Sequence, residues 1–306
     1  MDTDLDTLAT ALYVMTDDLL RAHPERVPVR PKGSFEPRTS DAEMLTLAVM
    51  QAVLGYPSEA HWLRYAHQHL RALFPDLPLQ PGYNKRLRAL ARTMTWLTGA
   101  LARQASVATD DVWVVDSTPV ECARSRKTVK RSDLAGWAEY GYCASHSRYF
   151  WGLRLHLVCT LQGLPIAWAL TGAKADEREV LTALLASTEG LHREHRDALQ
   201  LLIADKNYYG QHFEAELDDK GIDLLRKARK GEKPRPGGEF FKPLRQIVES
   251  VFDTFKDQLD LERHHGKTIA GVITRIAQRV LALTAVIWHN NRVGAPVLRS
   301  LTAYDH

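Results

Sequence analysis

The sequence predicts an α/β domain with a mixed sheet, preceded by an all-helical domain. In residues 1–106 the apolar positions recur at helical spacing, whereas from residue 111 onward short β-branched and aromatic runs alternate with helical segments. The chain has 306 residues, 45% of them hydrophobic, which suffices for a sizeable core in one large or two modest domains. We therefore expect a helical domain over residues 1–106 and a sheet domain over residues 107–306.

The N-terminal domain contains four helical patterns. They cover residues 5–21, 41–54, 58–73 and 83–103. Ser40 and Glu43 form a capping-box pattern at the start of the second helix, because a serine three residues before a glutamate satisfies the first backbone N–H groups. The basic residues of these helices leave two roles open, DNA binding and dimerisation.

The sheet domain contains five strand patterns. They cover residues 113–116, 150–159, 165–170, 201–205 and 222–225. Helical patterns precede the fourth and fifth strands. Three successive strands followed by helix-separated strands is the ribonuclease H-like order, so we expect a mixed five-stranded sheet with helices on its faces. A polar, basic insertion is expected over residues 120–148, and a last helix, over residues 267–289, is expected to pack on the sheet.

Two aspartates follow buried strand patterns. Asp116 closes an apolar run that begins at Val112, and Asp205 closes another that begins at Leu201. The second run leaves through a turn-rich segment that starts with Lys206. Two strands therefore each present one carboxylate at their ends.

Glu249 lies on a predicted helix over residues 244–259. At about 100° per residue, Arg245, Glu249 and Lys256 fall within a sector roughly 40° wide beside the apolar stripe. Two interpretations are open. The acid binds a divalent cation while the two bases hold DNA phosphates, or Arg245 and Glu249 form a solvated i, i+4 pair worth a few tenths of a kcal/mol.

Basic segments supply a hypothesis for nucleic-acid contact. The insertion combines bases with aromatic rings, a pairing that suits phosphates and unpaired bases, although a solvated hairpin is the alternative. Its bases are Arg124, Arg126, Lys127, Lys130 and Arg131. A second cluster, from residue 226 to 235, includes Lys227, Arg229 and Lys230. Arg154 and His156 share one strand face, either near the acids or as an ordinary polar face.

Composition and cysteine usage favour a cytoplasmic protein. The net charge of +3 and the pI of about 8.7 support a nucleic-acid partner only mildly. Cys122, Cys143 and Cys159 form no CxxC pair and no disulfide framework, which favours a reducing compartment. No apolar run reaches the ~20 residues that cross a bilayer, so we expect no membrane partner.

Three other chemistries lack their required residues. His264 and His265 are adjacent rather than four apart, which argues against a zinc site. A P-loop would need glycine where Leu261 stands, so no nucleotide cofactor is expected. Tyr208 and Tyr209 lack the arginine and histidine constellation of an enzyme that cuts DNA through a phosphotyrosine.

The spacing Arg245, three residues, Glu249, six residues, Lys256 resembles the R(3)E(6)K signature of bacterial insertion-sequence DDE transposases. Four blocks also resemble the motifs of insertion-sequence family 982 in order and spacing. They read VVDSTPVECAR, GYCASHSRYFWGLRLHLVCTLQGLPIAWALTGAKADE, IADKNYYG and RQIVESVFDTFK. The chain departs from the family pattern at Lys242, where a tyrosine is usual, and at Asn207, where a glycine is usual.

The resemblance implies a catalytic triad of Asp116, Asp205 and Glu249, which would hold two Mg²⁺ ions per site, with Mn²⁺ as a substitute. It implies that Arg245 and Lys256 assist at DNA phosphates, and we add Lys206 and Arg154 as auxiliary candidates. Double-stranded DNA, as terminal inverted repeats and target, would be the partner of a homodimer at the bacterial nucleoid. A nuclease without strand transfer and a catalytically idle DNA-binding relic remain alternatives.

Overall fold

The computed structural model describes residues 3–33, 35–143, 147–188, 200–235, 237, 241–297, 301 and 304; of Thr109, Lys242 and Arg245 it describes the backbone alone. The chain divides into two compact units by its contacts. The first contains Met1–Ala105 and Phe255–His306, and the second contains Ser106–Thr254. The C-terminal residues 255–306, expected in the sheet domain, therefore cluster with the N-terminal helices.

Six α-helices form the described part of the first unit. They are α1 (Thr3–Ala22), α2 (Asp41–Val53), α3 (Glu59–His69), α4 (Gln80–Ala89), α5 (Ala91–Gln104) and, labelled in chain order, α10 (Ile269–Val293). The capping box is confirmed: the Glu43 N–H donates to Ser40 Oγ at 3.1 Å, and the Ser40 N–H donates to the Glu43 carboxylate at 2.6 Å. Short 3₁₀ turns at Pro24–Arg26 and Leu261–Arg263 connect longer elements.

Helix α10 is the core helix of the first unit. Its contacts are with α5, α2, α1 and α4, so the prediction that the last helix packs on the sheet is wrong. Its polar residues are satisfied inside the unit. Gln278 donates to the carbonyl of Ala48 at 2.8 Å, and Arg275 pairs with Glu59. The apolar pattern of this helix predicts that it is buried. It does not identify the neighbouring helices that bury it.

The same helix, Ile269–Val293, is long and apolar enough to cross a membrane, contrary to the expectation that no segment reaches that length. Most of the apolar stretch is buried inside the protein, as is usual for a core helix.

The second unit is a six-stranded mixed sheet flanked by helices. Its strands are β1 (Val112–Ala123), β2 (Glu139–Cys143), β3 (Arg148–Thr160), β4 (Pro165–Gly172), β5 (Gln200–Ala204) and β6 (Ile222–Arg226). Its described helices are α6 (Arg126–Arg131), α7 (Glu177–Ser187), α8 (Gln211–Asp219) and α9 (Phe241–Asp253). This architecture is consistent with the expected ribonuclease H-like domain.

The strand order is β2-β3-β1-β5-β6, with β4 also paired to β3. Strand β3 runs antiparallel to both of its neighbours β1 and β4, whereas β5 and β6 run parallel to β1. The five predicted strands are all present. The sixth, β2, lies in the predicted insertion and pairs with residues 148–152 of β3, just before the part that pairs with β4. The expectation of five strands missed it because its residues, EYGYC, are half polar.

Two local differences from the prediction concern candidate site residues. Strand β1 continues to Ala123, so Asp116 lies inside the strand and not at its end. Helix α9 ends at Asp253 and is followed by a π-helical segment, Thr254–Gln258, which contains Lys256. Because a π turn winds with i→i+5 hydrogen bonds, the sector calculated for a regular α-helix does not extend to Lys256.

Candidate active site

The pairing of β1 with β5 places two carboxylates side by side. Val112 and Val114 lie opposite Leu201 and Ile203 in parallel register. Continued by two residues, the same register puts Asp116 opposite Asp205. Adjacent strands are about 4.8 Å apart, and side chains two positions apart share a face. Asp116 therefore shares the sheet face of Val112 and Val114, and Asp205 directly follows β5, where the hydrogen-bonded ladder between these strands ends.

Backbone N–H groups hold one oxygen of each aspartate. The Ser117 N–H donates to Asp116 Oδ1 at 2.7 Å, and the Lys206 N–H donates to Asp205 Oδ1 at 2.6 Å. Both aspartates are half-buried. The charge of Asp116 also reaches the interior, because burial and then this carboxylate raise the pKa of Cys159 to about 12. The strands thus present two anionic oxygens whose backbone anchors come from the residue that follows each acid.

Tyr208 is buried three residues after Asp205. Its side chain is 1% exposed, and its hydroxyl has no hydrogen-bond partner among the described residues. Burial holds its pKa well above the usual value of 10, and the negative charges of Glu177, Asp116 and Asp205 raise it further. The tyrosine is therefore a neutral donor next to the acids. A buried hydroxyl without a partner is rare in folded proteins and calls for an explanation at this position.

A second polar cluster lies on the opposite sheet face from Asp116. Ser117 Oγ donates to Glu177 Oε1 at 2.6 Å, and Arg154 Nη1 donates to the same carboxylate oxygen at 3.2 Å and to Ser117 Oγ at 3.0 Å. Arg154 also donates to the carbonyl of Tyr142 at 3.3 Å. These contacts give Arg154 protein partners, so its predicted DNA contact remains a prediction. No periodic pattern in the sequence indicates this Ser117–Glu177–Arg154 cluster, because its members come from three elements.

Two further polar residues of this face have structural roles. His156, opposite Ser117 in the β1–β3 register, contacts Thr171 Oγ1 through Nε2 at 2.9 Å. Burial and then the charge of Arg154 lower the pKa of His156 to about 4. Asp176 caps α7 through the Arg178 N–H at 2.9 Å. The side chain of Arg178 also lowers the pKa of Asp176 to about 2.

Glu249 occupies an exposed position on α9. Helix α9 packs against β1 and β5, the strands that carry Asp116 and Asp205. Among the residues that the structure describes, however, no three His, Cys, Asp or Glu side chains lie close enough together to hold a metal ion. The convergence of the three acids remains a prediction. The Arg245 side chain lies outside the described residues, and Lys256 belongs to the first unit.

The other predicted DNA-contact residues are on the surface. Lys206, next to Asp205, is exposed. The insertion folds as the end of β1, helix α6 and strand β2, and its exposed bases are Arg124, Arg126, Lys127, Lys130 and Arg131. Arg124 pairs with Glu121 at 3.2 Å. Lys227, Arg229 and Lys230 are exposed in the segment after β6. These positions are available to a ligand, and their contact with DNA remains a prediction.

Comparison with known proteins bears on the second unit above all. A family model described as the transposase DDE domain matches residues 108–285, well over half of the chain. The match includes the positions of Asp116, Asp205 and Glu249. No curated protein matches the chain at a significant level.

Proposed function

The chain belongs to the DDE transposase family, and from this premise we propose that it cuts the ends of an insertion sequence and joins them to target DNA. Family membership implies that it acts on DNA and that it is an enzyme of the transposition class. The finer assignment to insertion-sequence family 982 is part of the proposal and rests on the motif blocks. The route of cutting and joining is likewise proposed.

The observation that carries the proposal is the register of β1 and β5. Extended beyond its last pair, Val114 and Ile203, the register brings Asp116 and Asp205 to neighbouring positions, each with a backbone N–H on one carboxylate oxygen. Two carboxylates at neighbouring positions favour the binding of a cation between them. We call the place where Asp116 and Asp205 lie, at the end of the β1–β5 ladder, the acidic edge. This pair of carboxylates suits an ion-dependent phosphodiester chemistry better than a purely structural role.

Divalent ions fit the donor set of this edge. Carboxylate oxygens are hard ligands, which Mg²⁺ and Mn²⁺ prefer, and members of this family generally use divalent metals. The buried hydroxyl of Tyr208 has no hydrogen-bond partner among the described residues, and it supports a further polar ligand near these charges. We propose that Asp116, Asp205 and Glu249 hold two ions, which supply the charge that stabilises the attacking and leaving oxygens of an in-line displacement.

The proposed reaction consists of two displacements at phosphorus, and the residues of the chain hold the DNA in position for both. In the first, a water oxygen bonds to a phosphorus at the element end, and the 3′ oxygen leaves as a hydroxyl. In the second, that 3′ oxygen bonds to a target phosphorus, and the target's 3′ oxygen leaves. Lys206 and Lys227 are proposed to hold flanking phosphates next to Asp205, and Arg245 and Lys256 to assist at phosphates as the family signature implies. No covalent enzyme intermediate is needed.

The remaining parts of the proposal concern partners and place. The helices of the first unit are proposed to bind the terminal inverted repeats, to dimerise, or both. Pairing two DNA ends requires at least two active sites, so a homodimer is proposed. The proposed location is the bacterial cytoplasm, at the nucleoid when the protein is bound to DNA.

Cleavage by matched aspartate variants tests the proposal. Duplexes carrying the DNA that flanks the coding sequence are incubated with Mg²⁺ and wild type, Asp205→Asn or Asp223→Asn. Asp223 is an exposed residue of β6, so its substitution makes the same chemical change away from the acidic edge. We expect wild type and Asp223→Asn to cut and join DNA, and Asp205→Asn to bind without cutting. Equal cleavage by all three proteins would refute the site.

One observation favours a second candidate, the catalytically idle DNA-binding relic. No described group of three acidic or ligating side chains is close enough to hold a metal. The same assay separates the candidates, because a relic would bind DNA and leave it intact in every variant. A nuclease without strand transfer would cut the duplex but give no joined product.

A further inference from the structure

The segment after β6 lies one strand from Asp205. Strands β5 and β6 pair in parallel, with Ala204 opposite Arg226. Asp205 directly follows β5 and Lys227 directly follows β6, so the two residues leave neighbouring parallel strands at the same end of the sheet. Asp116 lies on β1, the strand that pairs with the other side of β5.

Arg226 ties the segment of residues 227–235, here called the basic loop, to the sheet and to α8. Its side chain is 3% exposed and forms ion pairs with two carboxylates, those of Glu214 and Glu232. It donates to Glu214 Oε1 at 2.6 Å and 3.0 Å and to the two oxygens of Glu232 at 2.7 Å and 2.8 Å. We call this arrangement the clamp. Charge-assisted bonds of this length are the stronger class of protein hydrogen bonds.

The clamp also closes the basic loop on itself. Glu232 accepts the N–H of Arg229 at 2.9 Å, and Arg235 Nη1 reaches Glu214 at 3.0 Å and Glu232 at 3.4 Å. The guanidinium of Arg226 lowers the pKa of Glu232 to about 2, so this carboxylate stays charged at neutral pH. Both ends of the loop are therefore fixed by the same pair of glutamates.

A stacked pair fixes the middle of the loop against the segment that follows Asp205. The Arg229 guanidinium lies 3.6 Å from the centroid of the Tyr209 ring. Arg178 approaches the same ring at 5.5 Å and donates to the Tyr209 carbonyl at 3.1 Å. Cation–π contacts with Arg are favourable at such distances. The basic loop is thus docked on the residues that leave the acidic edge.

The clamp uses only part of the positive charge of the loop. Glu214 and Glu232 neutralise Arg226, which precedes the loop, and Arg235, its last base. Within the described residues, three exposed lysines of the loop have no carboxylate partner: Lys227, Lys230 and Lys233. An acidic pair that served only to cancel charge would be expected to face these lysines. Instead it faces the arginines that hold the loop in place.

We propose that the clamp pre-orders the basic loop as a binding surface for DNA phosphates beside the acidic edge. This inference rests on the proposed function and adds the residues that position the loop. A free loop with several lysines would lose side-chain and backbone freedom when it binds DNA, and that loss would weaken binding. A loop already fixed avoids that cost. Glu214 and Glu232 would then strengthen the binding of a polyanion although they are negatively charged.

The direction in which one substitution changes the affinity for DNA tests this proposal. Glu232→Gln removes a negative charge from the loop, so electrostatics alone predicts tighter DNA binding. If the clamp orders the loop, the same change weakens binding, by about three- to tenfold. Glu216→Gln is the matched control, because Glu216 lies two residues from Glu214 on α8 and, among the described residues, forms an ion pair only with Lys220, at 3.1 Å. The control should bind as tightly as wild type or more tightly.

The measurement is fluorescence anisotropy with a fluorescein-labelled duplex of random sequence over a salt series. A loosened loop also neutralises fewer phosphates, so Glu232→Gln should show a shallower dependence of affinity on salt. Glu214→Gln gives a second test of the same sign, and thermal unfolding checks that each variant is folded. Lys227→Ala should reduce the salt slope by about one, with partial recovery in Lys227→Arg.

The outcomes separate this inference from the proposed function. If wild type fails to bind the duplex, both are overturned. If wild type binds and Glu232→Gln and Glu214→Gln bind equally or more tightly, the clamp proposal is overturned and the transposase proposal stands. Weaker binding and a shallower salt slope in both glutamine variants, with an unchanged control, support the clamp.

Discussion

The carboxylates assigned to the site are held in two different ways. Asp116 and Asp205 belong to neighbouring parallel strands, whose hydrogen bonds determine which residues lie opposite each other. Glu249 is carried by α9, whose position depends on side-chain packing, and this helix changes to π-helical winding at Thr254. Backbone register therefore determines the neighbours of the strand acids, whereas packing determines where the helix acid lies.

The largest effect that tests this contrast comes from the helix acid. If Glu249 completes the site when DNA and ions are present, Glu249→Gln should lower the cleavage rate by about 10²-fold or more, since it removes charge from the reacting centre. Glu262→Gln is the control, because Glu262 is a second exposed glutamate that follows Glu249 in the chain. Single-turnover cleavage of labelled end DNA measures both. A loss confined to Glu262→Gln would transfer the role to that residue.

The contrast also explains what the sequence could predict. The runs before Asp116 and Asp205 have strand composition, and parallel strands joined through helices bring their carboxyl ends to one edge. The five core strands could be predicted in this way. The clamp could not, because Glu214, Arg226 and Glu232 come from a helix, a strand and a loop and share no period. The partners of α10 were missed for the same reason: an apolar stripe indicates burial without naming the surface that covers it.

The pH dependence of stability tests the face that the strand register assigns to His156. Register places His156 on the face of Ser117, away from Asp116, so its replacement should change stability and leave DNA cleavage at pH 8 largely intact. Its pKa is about 4 in the folded chain against 6.5 for a free histidine. The unfolded state therefore binds more protons between these values, and stability falls as pH decreases from 6.5 towards 4, by on the order of 3 kcal/mol.

Denaturant unfolding of wild type and His156→Gln at pH 7 and pH 4.5 measures this effect. The difference in unfolding free energy between the two pH values should be smaller in the variant, because glutamine does not titrate. An equal loss of stability in both proteins would show that other groups cause the acid sensitivity.

Glu177 is an intermediate case, since it begins a helix but is anchored to β1 by Ser117 and to β3 by Arg154. We expect Glu177→Gln to lower cleavage about tenfold, because it loosens the residue whose N–H holds Asp116. The concentration of Mg²⁺ at half-maximal rate should rise with it. Glu179→Gln, on the same helix, is the control. If Glu177→Gln alters unfolding but neither kinetic quantity, the cluster supports the fold alone.

The smallest expected effect concerns the hydroxyl of Tyr208. Within the part of the chain that the structure describes, this buried group has no hydrogen-bond partner, so Tyr208→Phe should leave the unfolding free energy unchanged or raise it by up to about 1 kcal/mol. Because the charges of Asp116 and Asp205 act on this hydroxyl, the same variant should weaken cleavage if the group donates to bound substrate. Thermal unfolding and cleavage measured on one preparation decide the point. A stabilised variant with reduced cleavage would show that the strand-held edge keeps a donor for its ligand at a cost in stability, whereas a destabilised variant would mean that the hydroxyl already has a structural partner.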